Sequence, residues 1–236
     1  MTEYIYMKDV ESNYVREFEA VVRAAGENYV VLDRTAFYPT GGGQPTDTGV
    51  LRWDGGEARV VEVRKKGGQH ILKEPVPEPG TVVRGEVDWD RRYAHMRMHT
   101  AQHLVSAIVY GRYGARTVGN QIHADRSRID FSPANFTEED LRWIEDAVNG
   151  AIERGAPVRI YEMRREDLEK QVGVERANLD LIPSFIKDLR VVEIAGYDIC
   201  PCAGTHVRDI KELGGVEIIK REKKGRDTTR IIYRLR

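Results

Sequence analysis

Two short segments combine histidine and cysteine at spacings that suit a metal site. Residues four apart share one face of a helix, so His99 and His103 in HTAQH can present two imidazoles to one ion. Cys202 and His206 lie four apart in CPCAGTHV, a glycine-containing turn where a thiolate and an imidazole can converge. The chain has only two cysteines and six histidines. Two such pairs therefore predict a zinc site.

Spacing alone leaves the choice of ligands open. His95 continues the stripe formed by His99 and His103, and Cys200 lies two residues before Cys202. A metalloprotease site is not indicated, because HTAQH lacks the glutamate that serves as general base in H-E-x-x-H.

A glycine-rich stretch supplies a second candidate for chemistry. Gly41, Gly42 and Gly43 would let backbone N–H groups approach a ligand closely, and Gln44 offers both a donor and an acceptor. The same stretch is also typical of a loop between two strands, or of an element that shapes the interface between two domains.

Composition limits the class of protein and of partner. The 236 residues are 41% hydrophobic and 32% charged, which suits a folded chain of two modest domains. The net charge of -1 excludes a basic surface over the whole molecule. Residues 220–236 carry eight basic residues against two acidic ones. Any nucleic-acid contact must therefore be a local patch, unless this segment is only a solvated strand edge.

Nothing in the sequence suggests a membrane segment or a secretion signal. No apolar run approaches the ~20 residues of a membrane helix, and the start MTEYIYMKDVES has neither a basic nor an apolar signal region. We therefore expect a cytoplasmic protein, and no obligate protein partner is evident.

The first part of the chain, residues 1–89, reads as a small β-barrel or sandwich. Gly and Pro separate several short runs with strand character, and no long helical period interrupts them. The predicted strands are Tyr29 to Asp33, Gly49 to Trp53, Ala58 to Lys65, His70 to Leu72 and Thr81 to Val87.

The second part, residues 90–236, reads as an α+β domain with helices on an antiparallel sheet. One helix is predicted from Asp88 to Gly111 or Gly114, and another from the N-cap Thr137 to Gly155. The predicted strands are Val158 to Met163, Leu189 to Ile194, Val216 to Lys220 and Thr229 to Leu235.

Together these motifs resemble a known family. HTAQHL, followed about a hundred residues later by CAGTHV, resembles the editing domain shared by alanyl-tRNA and threonyl-tRNA synthetases. TAFYPTGGGQPTDTG resembles the element that precedes the alanyl type of this domain. The segments VDWDRRYAHMRMHTAQHL, SRIDFS and KKGRDTTRIIY extend the resemblance over nearly the whole chain. We expect no adenylate-forming domain in front of the glycine-rich element, so the chain is identified as a member of the free-standing AlaX editing proteins, of the medium-length type.

The resemblance implies an α+β fold, in which a barrel domain precedes a zinc-containing editing domain of the threonyl/alanyl-tRNA synthetase type. It implies one zinc ion per chain on His99, His103, Cys202 and His206, with His95 and Cys200 as neighbours. Ala203 departs from the family's usual glycine.

The expected activity is ATP-independent hydrolysis of mischarged tRNA(Ala), chiefly Ser-tRNA(Ala) and also Gly-tRNA(Ala), which serves translation fidelity. A hydrophobic alanine pocket rejects serine poorly, so a second site must remove the errors. Thr35, with Thr40 as the alternative, is expected to bond the serine hydroxyl. Gln44 is expected at the catalytic centre, and Gly41, Gly42 and Gly43 against the substrate. The competing hypotheses are a zinc-stabilised RNA-binding module without catalysis, and an enzyme that edits another tRNA, such as Ser-tRNA(Thr).

Overall fold

The computed structural model describes residues 2–174, 179 and 182–236. The elements in chain order are β1 Glu3–Tyr4, β2 Glu17–Ala25, β3 Tyr29–Leu32, β4 Arg34–Thr35, β5 Gly49–Trp53, β6 Gly56–Arg64, β7 Gln69–Leu72, β8 Val82–Val87, α1 Trp89–Tyr113, β9 Arg116–Gln121, β10 Ser127–Ser132, α2 Glu138–Arg154, β11 Val158–Arg164, α3 Arg165–Val172, β12 Asp188–Ile194, β13 Asp198–Pro201, β14 Val216–Lys223 and β15 Thr229–Leu235.

Six strands of the N-terminal part close into a barrel in the order β2-β3-β7-β6-β5-β8. The barrel was expected from the sequence and is confirmed. Alternate side chains point inward, as in β8, where every second residue is buried. The sequence did not predict β2, because its glutamates and alanines are good helix formers and obscure the inward alternation of Phe18, Ala20 and Val22.

Both predicted long helices are confirmed, and their ends follow from local chemistry. α1 ends at Gly114, whose positive φ of 66° is the left-handed conformation that glycine adopts without strain. α2 begins after Thr137, which forms a capping box with Asp140. Among the described residues, no helix combines the length and apolar character needed to cross a bilayer.

The described residues of the C-terminal part form two antiparallel sheets where the sequence predicted one. β11 and β12 pair along their whole length, and β13 takes the free edge of β12. β14 and β15 instead join β10 and β9, in the order β14-β15-β10-β9. The sequence predicted the extents of β11, β12, β14 and β15 but not which strands pair with them. It missed β9 and β13, because both are short and weakly apolar. The alternation of Ser127, Ile129 and Phe131, all buried, was a usable signal for β10.

A buried ion pair connects the barrel to α1. Arg92, in the second turn of α1, is fully buried and donates hydrogen bonds to the Asp47 carboxylate and to the backbone carbonyls of Asn13 and Ala36. The Asp47 carboxylate also accepts the backbone N–H of Tyr38 at 2.7 Å. The glycine-rich loop is therefore fixed against the helix that carries the histidine pair.

Candidate metal centre

Four side chains expected to bind metal converge between α1 and the loop after β13. His99, His103, Cys202 and His206 each offer one ligand atom, and these atoms all lie within 4.8 Å of one another. The Sγ of Cys202 lies 3.6 Å from Nε2 of His99 and 3.4 Å from Nε2 of His206. The histidines are nearly fully buried. This cluster, called the donor cluster below, could hold a metal ion.

Two of the imidazoles are oriented by hydrogen bonds on their outer nitrogens. Nδ1 of His99 lies 2.8 Å from Oε1 of Gln44, and Nδ1 of His206 lies 3.1 Å from Oγ1 of Thr100. Because the Thr100 hydroxyl donates to the Met96 carbonyl, its oxygen accepts from His206. Both rings therefore carry their proton on Nδ1 and turn the Nε2 lone pair toward the cluster.

The third imidazole is held by a carboxylate that the sequence analysis did not single out. Nδ1 of His103 lies 3.2 Å from Oδ2 of Asp198 and 3.3 Å from Sγ of Cys200. Burial raises the pKa of Cys200 to about 12, so this group stays a thiol and donates to Asp198. Asp198 thus stands in the position of the carboxylate in carboxylate–histidine–metal arrangements. The only signal in the sequence was its place two residues before Cys200.

The electrostatics of Cys202 and His206 favour the protonation states that a metal requires, whereas the contacts of His103 with Cys200 and Asp198 outweigh burial and hold its pKa well above the usual value. Burial acts to raise the pKa of Cys202, but its contacts with the surrounding imidazoles of His99, His206 and His103 outweigh burial and hold that pKa well below its usual value. Burial, with the neighbouring imidazole of His99, lowers the pKa of His206 well below its usual value. A thiolate beside a neutral imidazole is the form in which these groups bind metal. The residues present therefore fit a metal ion.

Gln44 lies behind the donor cluster and does not line the open space in front of it. Its Nε2 donates to the hydroxyl of Thr205 at 2.9 Å, and its Oε1 accepts the backbone N–H of Thr205 at 3.2 Å. A Cβ atom at Gly204 would meet the His99 ring at 2.1 Å, so only glycine fits there. Gln44 was expected at the catalytic centre; the structure places its amide between His99 and Thr205, and a catalytic role stays a prediction.

A cavity of about 420 Å³ opens in front of the donor cluster, a size that suits a small ligand. Thr40, Gly41 and Gly42 line it, together with His99, His103 and Cys202. Gly43 does not line it. Its carbonyl accepts the N–H of Ile122, and its Cα packs against the Asn120 side chain, where a Cβ would come within 2.1 Å. This glycine joins the barrel to β9.

Comparison with known proteins agrees with this arrangement. Residues 3–91 match the family model of tRNA synthetases class II (A), and residues 189–232 match that of the threonyl and alanyl tRNA synthetase second additional domain. The alanyl-tRNA editing protein AlaX-M of Methanosarcina barkeri is 41% identical, covering 100% of this chain and 99% of the relative. AlaX-M of Saccharolobus solfataricus is 38% identical, covering 99% and 98%.

The chain belongs to the AlaX-M family of alanyl-tRNA editing proteins. It is also 37% identical to alanine–tRNA ligase of Pyrobaculum neutrophilum, where the match covers 94% of this chain and 26% of the ligase. The resemblance given by the histidine, cysteine and glycine motifs is thus confirmed.

Thr35 lies inside the barrel of this AlaX-M family member and is not among the residues that line the cavity. It is fully buried, and its Oγ1 lies 2.8 Å from Nε2 of His70 and accepts the backbone N–H of Phe37. Nδ1 of His70 faces the Gly68 carbonyl at 3.2 Å, so the Thr35 hydroxyl donates its proton to Nε2. That proton is therefore engaged within the barrel, and the geometry does not support the expected serine-reading role.

The remaining histidines lie outside the donor cluster. His95 is buried, and burial lowers its pKa to about 4, so its ring is neutral. His70 is a buried structural residue of the barrel, and His123 is exposed. None of the three belongs to a metal-binding group among the described residues.

The basic C-terminal segment is less positive than its residue count suggests. β14 is an edge strand of its sheet, and carboxylates neutralise most of the basic side chains. The ion pairs are Lys220–Glu222, Lys224–Glu222, Arg221–Glu138, Arg230–Asp130, Arg234–Glu217 and Arg236–Glu145. A role of residues 220–236 in binding tRNA stays a prediction.

Proposed function

We propose that this protein hydrolyses the ester bond of mischarged tRNA(Ala), chiefly Ser-tRNA(Ala) and also Gly-tRNA(Ala), with one zinc ion bound by His99, His103, Cys202 and His206. The observation that carries the proposal is the donor cluster of three imidazoles and one thiol at the inner end of the cavity. The identity of the AlaX-M relatives as alanyl-tRNA editing proteins supports the proposal as well.

Zinc is the metal that best suits this donor set. Nitrogen and thiolate donors in a group of four are typical of tetrahedral zinc, whereas Mg²⁺ and Ca²⁺ prefer oxygen ligands. A bound zinc ion supplies a Lewis acid that polarises the ester carbonyl or lowers the pKa of water.

Side chains around the donor cluster hold the candidate metal ligands in place while the ester is hydrolysed. Gln44, Thr100 and Asp198 each fix one imidazole through its Nδ1. Gly41 and Gly42 form the cavity wall on the barrel side, where the absence of side chains lets an ester lie against the main chain. A positioned ester hydrolyses faster because little reorganisation remains to be done.

Selection of serine over alanine requires a polar group that meets the serine hydroxyl. The alanyl ester cannot make this hydrogen bond and is therefore disfavoured at the site. An apolar pocket alone distinguishes the seryl and alanyl esters poorly. Thr40 is exposed and lines the cavity, in contrast to Thr35. We therefore assign the reading of the hydroxyl to Thr40.

A deacylation assay tests this function. Release of the amino acid is followed from Ser-, Gly- and Ala-tRNA(Ala), and from Ser-tRNA(Thr). The proposal predicts hydrolysis of the first two and survival of Ala-tRNA(Ala). Binding without turnover would leave only an RNA-binding module, and preferential cleavage of Ser-tRNA(Thr) would assign the protein to another tRNA.

A further inference from the structure

A second group of metal-ligating side chains lies beside the donor cluster and shares one residue with it. His103, Asp198 and Cys200 each offer one ligand atom, and these atoms lie within 4.8 Å of one another. Nδ1 of His103 lies 3.2 Å from Oδ2 of Asp198 and 3.3 Å from Sγ of Cys200. The same Oδ2 lies 3.3 Å from that Sγ. This triangle of one nitrogen, one oxygen and one sulfur is called the triad below.

Strand β13 places two members of the triad. Asp198 and Cys200 are two residues apart in this strand, so their side chains point to the same face, where His103 of α1 meets them. Ile199 points the other way and packs into a hydrophobic cluster with Leu168. Cys202 follows Cys200 by two residues. The chain therefore leads directly from the triad to the donor cluster.

The dimensions of the triad suit a metal ion at its centre. Ligand atoms on a tetrahedral zinc ion lie roughly 3.3–3.6 Å apart, because the bonds to zinc are about 2.0–2.3 Å long. The three edges of the triad lie close to this range. Hydrogen bonding accounts for two of them, because Nδ1–H of His103 and Sγ–H of Cys200 both donate to Oδ2 of Asp198. The third edge brings two donors together, and a shared cation would accommodate it.

The donor types of the triad select the same class of metal as the donor cluster. Thiolate, imidazole and carboxylate together suit Zn²⁺ or Co²⁺, whereas Mg²⁺ and Ca²⁺ prefer oxygen ligands alone. On binding, the metal replaces the Sγ proton of Cys200 and the Nδ1 proton of His103, and both protons pass to the solvent. Because the triad offers three protein ligands and the donor cluster four, the triad holds the ion more weakly.

The triad also lies where a cation would approach the donor cluster. All three of its residues line the cavity, whereas His206 of the donor cluster does not. Among the cavity-lining residues that the structure describes, Asp198 is the one carboxylate, and Lys65 and Arg116 are basic. A cation that enters the cavity is therefore attracted to Asp198 and to no other acidic side chain of its wall.

We propose that the triad is a transfer site for zinc, which the ion occupies on its way between the cavity and the donor cluster. The inference rests on the proposed function only in taking the donor cluster to hold zinc. His103 belongs to both groups and interacts with the thiols of both Cys200 and Cys202. A zinc ion can accept a fifth ligand before it loses one of four. Cys202 can therefore replace Cys200 while His103 keeps its hold on the ion.

Metal binding by the triad is tested in Cys202→Ala, which leaves Cys200 as the only cysteine of the chain. Co²⁺ is titrated into the full-length variant after treatment with a chelator, and the thiolate-to-cobalt charge-transfer absorption is recorded. We expect this absorption, because any thiolate that binds cobalt must be Cys200. The double variant Cys200→Ala/Cys202→Ala should lack it.

The carboxylate of the triad is tested in the same Cys202→Ala background. Addition of Asp198→Asn should weaken the binding of Co²⁺ roughly tenfold or more, because it removes a charged ligand. Asp188→Asn is the matched control, because Asp188 is exposed on β12 and does not line the cavity. It should leave the affinity for cobalt unchanged.

Transfer is tested with the donor cluster intact, by exchange of bound zinc for isotopically labelled zinc. Cys200→Ala should slow this exchange roughly tenfold or more, because the ion loses a ligand on its path. The equilibrium affinity for zinc should stay unchanged, because entry and release are slowed equally; a merely structural role of Cys200 would lower the affinity instead. Ser106→Ala, at another cavity-lining position, is the control and should change neither quantity.

Two outcomes overturn the inference. Cobalt binding without charge-transfer absorption in Cys202→Ala excludes the triad as a metal site, and zinc exchange at the unmodified rate in Cys200→Ala excludes transfer. The exchange measurement keeps all four residues of the donor cluster, so it decides the inference even where Cys202→Ala fails to fold. The proposed function is judged separately, by turnover of mischarged tRNA in the unmodified protein. Normal turnover with unchanged exchange in Cys200→Ala removes the transfer site alone, whereas absent turnover by the zinc-loaded protein removes the proposed function while the exchange rate still decides the transfer site.

Discussion

Oε1 of Gln44 lies 2.8 Å from Nδ1 of His99, and this contact joins the glycine-rich loop of the barrel to the helix that carries two donors of the cluster. The barrel therefore completes a site whose four candidate ligands all come from the C-terminal part. Gln44 also contacts Thr205 in the loop that carries the other two donors. One buried amide thus holds both halves of the donor cluster in register.

Replacement of Gln44 should loosen metal binding. Gln44→Leu leaves the Nδ1–H of His99 buried without an acceptor, and loss of such a partner lowers metal affinity by roughly 10- to 100-fold. Gln44→Glu keeps the acceptor and should bind zinc more tightly than Gln44→Leu. Zinc affinity is measured by competition with a chelator, with the exposed Gln121→Leu as control. Equal zinc affinity in Gln44→Leu and the unmodified protein would contradict the positioning role.

The pair of Asp47 and Arg92 should be essential for stability. Asp47→Ala leaves the fully buried Arg92 charge uncompensated, which costs about 3–5 kcal/mol in the free energy of unfolding. Urea unfolding measures the change. Glu17→Ala, which removes the exposed partner of Arg84, serves as control and should have little effect, because solvent screens such pairs. Equal effects of the two substitutions would show that burial of the pair does not matter.

Sequence reasoning reached those parts of the fold that depend on local signals. The N-cap at Thr137 and the left-handed Gly114 set the ends of the long helices, and the two histidine and cysteine motifs identified the four side chains that now meet. Spacing alone did not distinguish His95 and Cys200 from the four residues of the donor cluster.

What the sequence could not give was contact between segments that lie far apart in the chain. Gln44 and Thr205 are separated by 161 residues, and Asp198 approaches His103 from a separate strand. The glycine-rich motif correctly drew attention to Gln44, but no pattern could show that its amide faces the back of His99. Thr35 and Thr40 likewise lie close together in the sequence. Closure of the barrel buries Thr35 inside it and leaves Thr40 at the cavity, which no local pattern indicates.

Thr40 and Thr35 should differ in their effect on substrate choice. Thr40→Val removes the hydroxyl that lines the cavity. It should lower the ratio of the Ser-tRNA(Ala) hydrolysis rate to the Ala-tRNA(Ala) hydrolysis rate by roughly 5- to 100-fold, the range expected for one hydrogen bond. Thr35→Val removes a hydroxyl bonded to His70 and should leave the ratio unchanged. The two rates are measured under single-turnover conditions. A ratio that collapses in Thr35→Val and not in Thr40→Val would reverse the assignment.

His70 should make the stability of the protein depend on pH. Burial lowers its pKa to about 4, below the ~6.5 of an unfolded chain. The unfolded state therefore binds an extra proton below pH 6.5, so the stabilisation is complete above pH 6.5 and is lost as the pH falls toward 4. Between pH 7 and pH 5, the free energy of unfolding should fall by about 2 kcal/mol more in the unmodified protein than in His70→Gln. Urea unfolding at both pH values measures this difference, and equal losses would contradict a neutral buried imidazole.

The central claim, that the donor cluster binds zinc and performs the hydrolysis, is tested most directly by comparing Cys202→Ala with Cys200→Ala. Cys202 lies within the donor cluster, whereas Cys200 stays a thiol behind His103. Zinc content and the rate of serine release from Ser-tRNA(Ala) are measured on the same samples. The account predicts that Cys202→Ala loses both, and that Cys200→Ala retains one zinc ion per chain and its turnover. Full zinc occupancy or undiminished turnover in Cys202→Ala would contradict it.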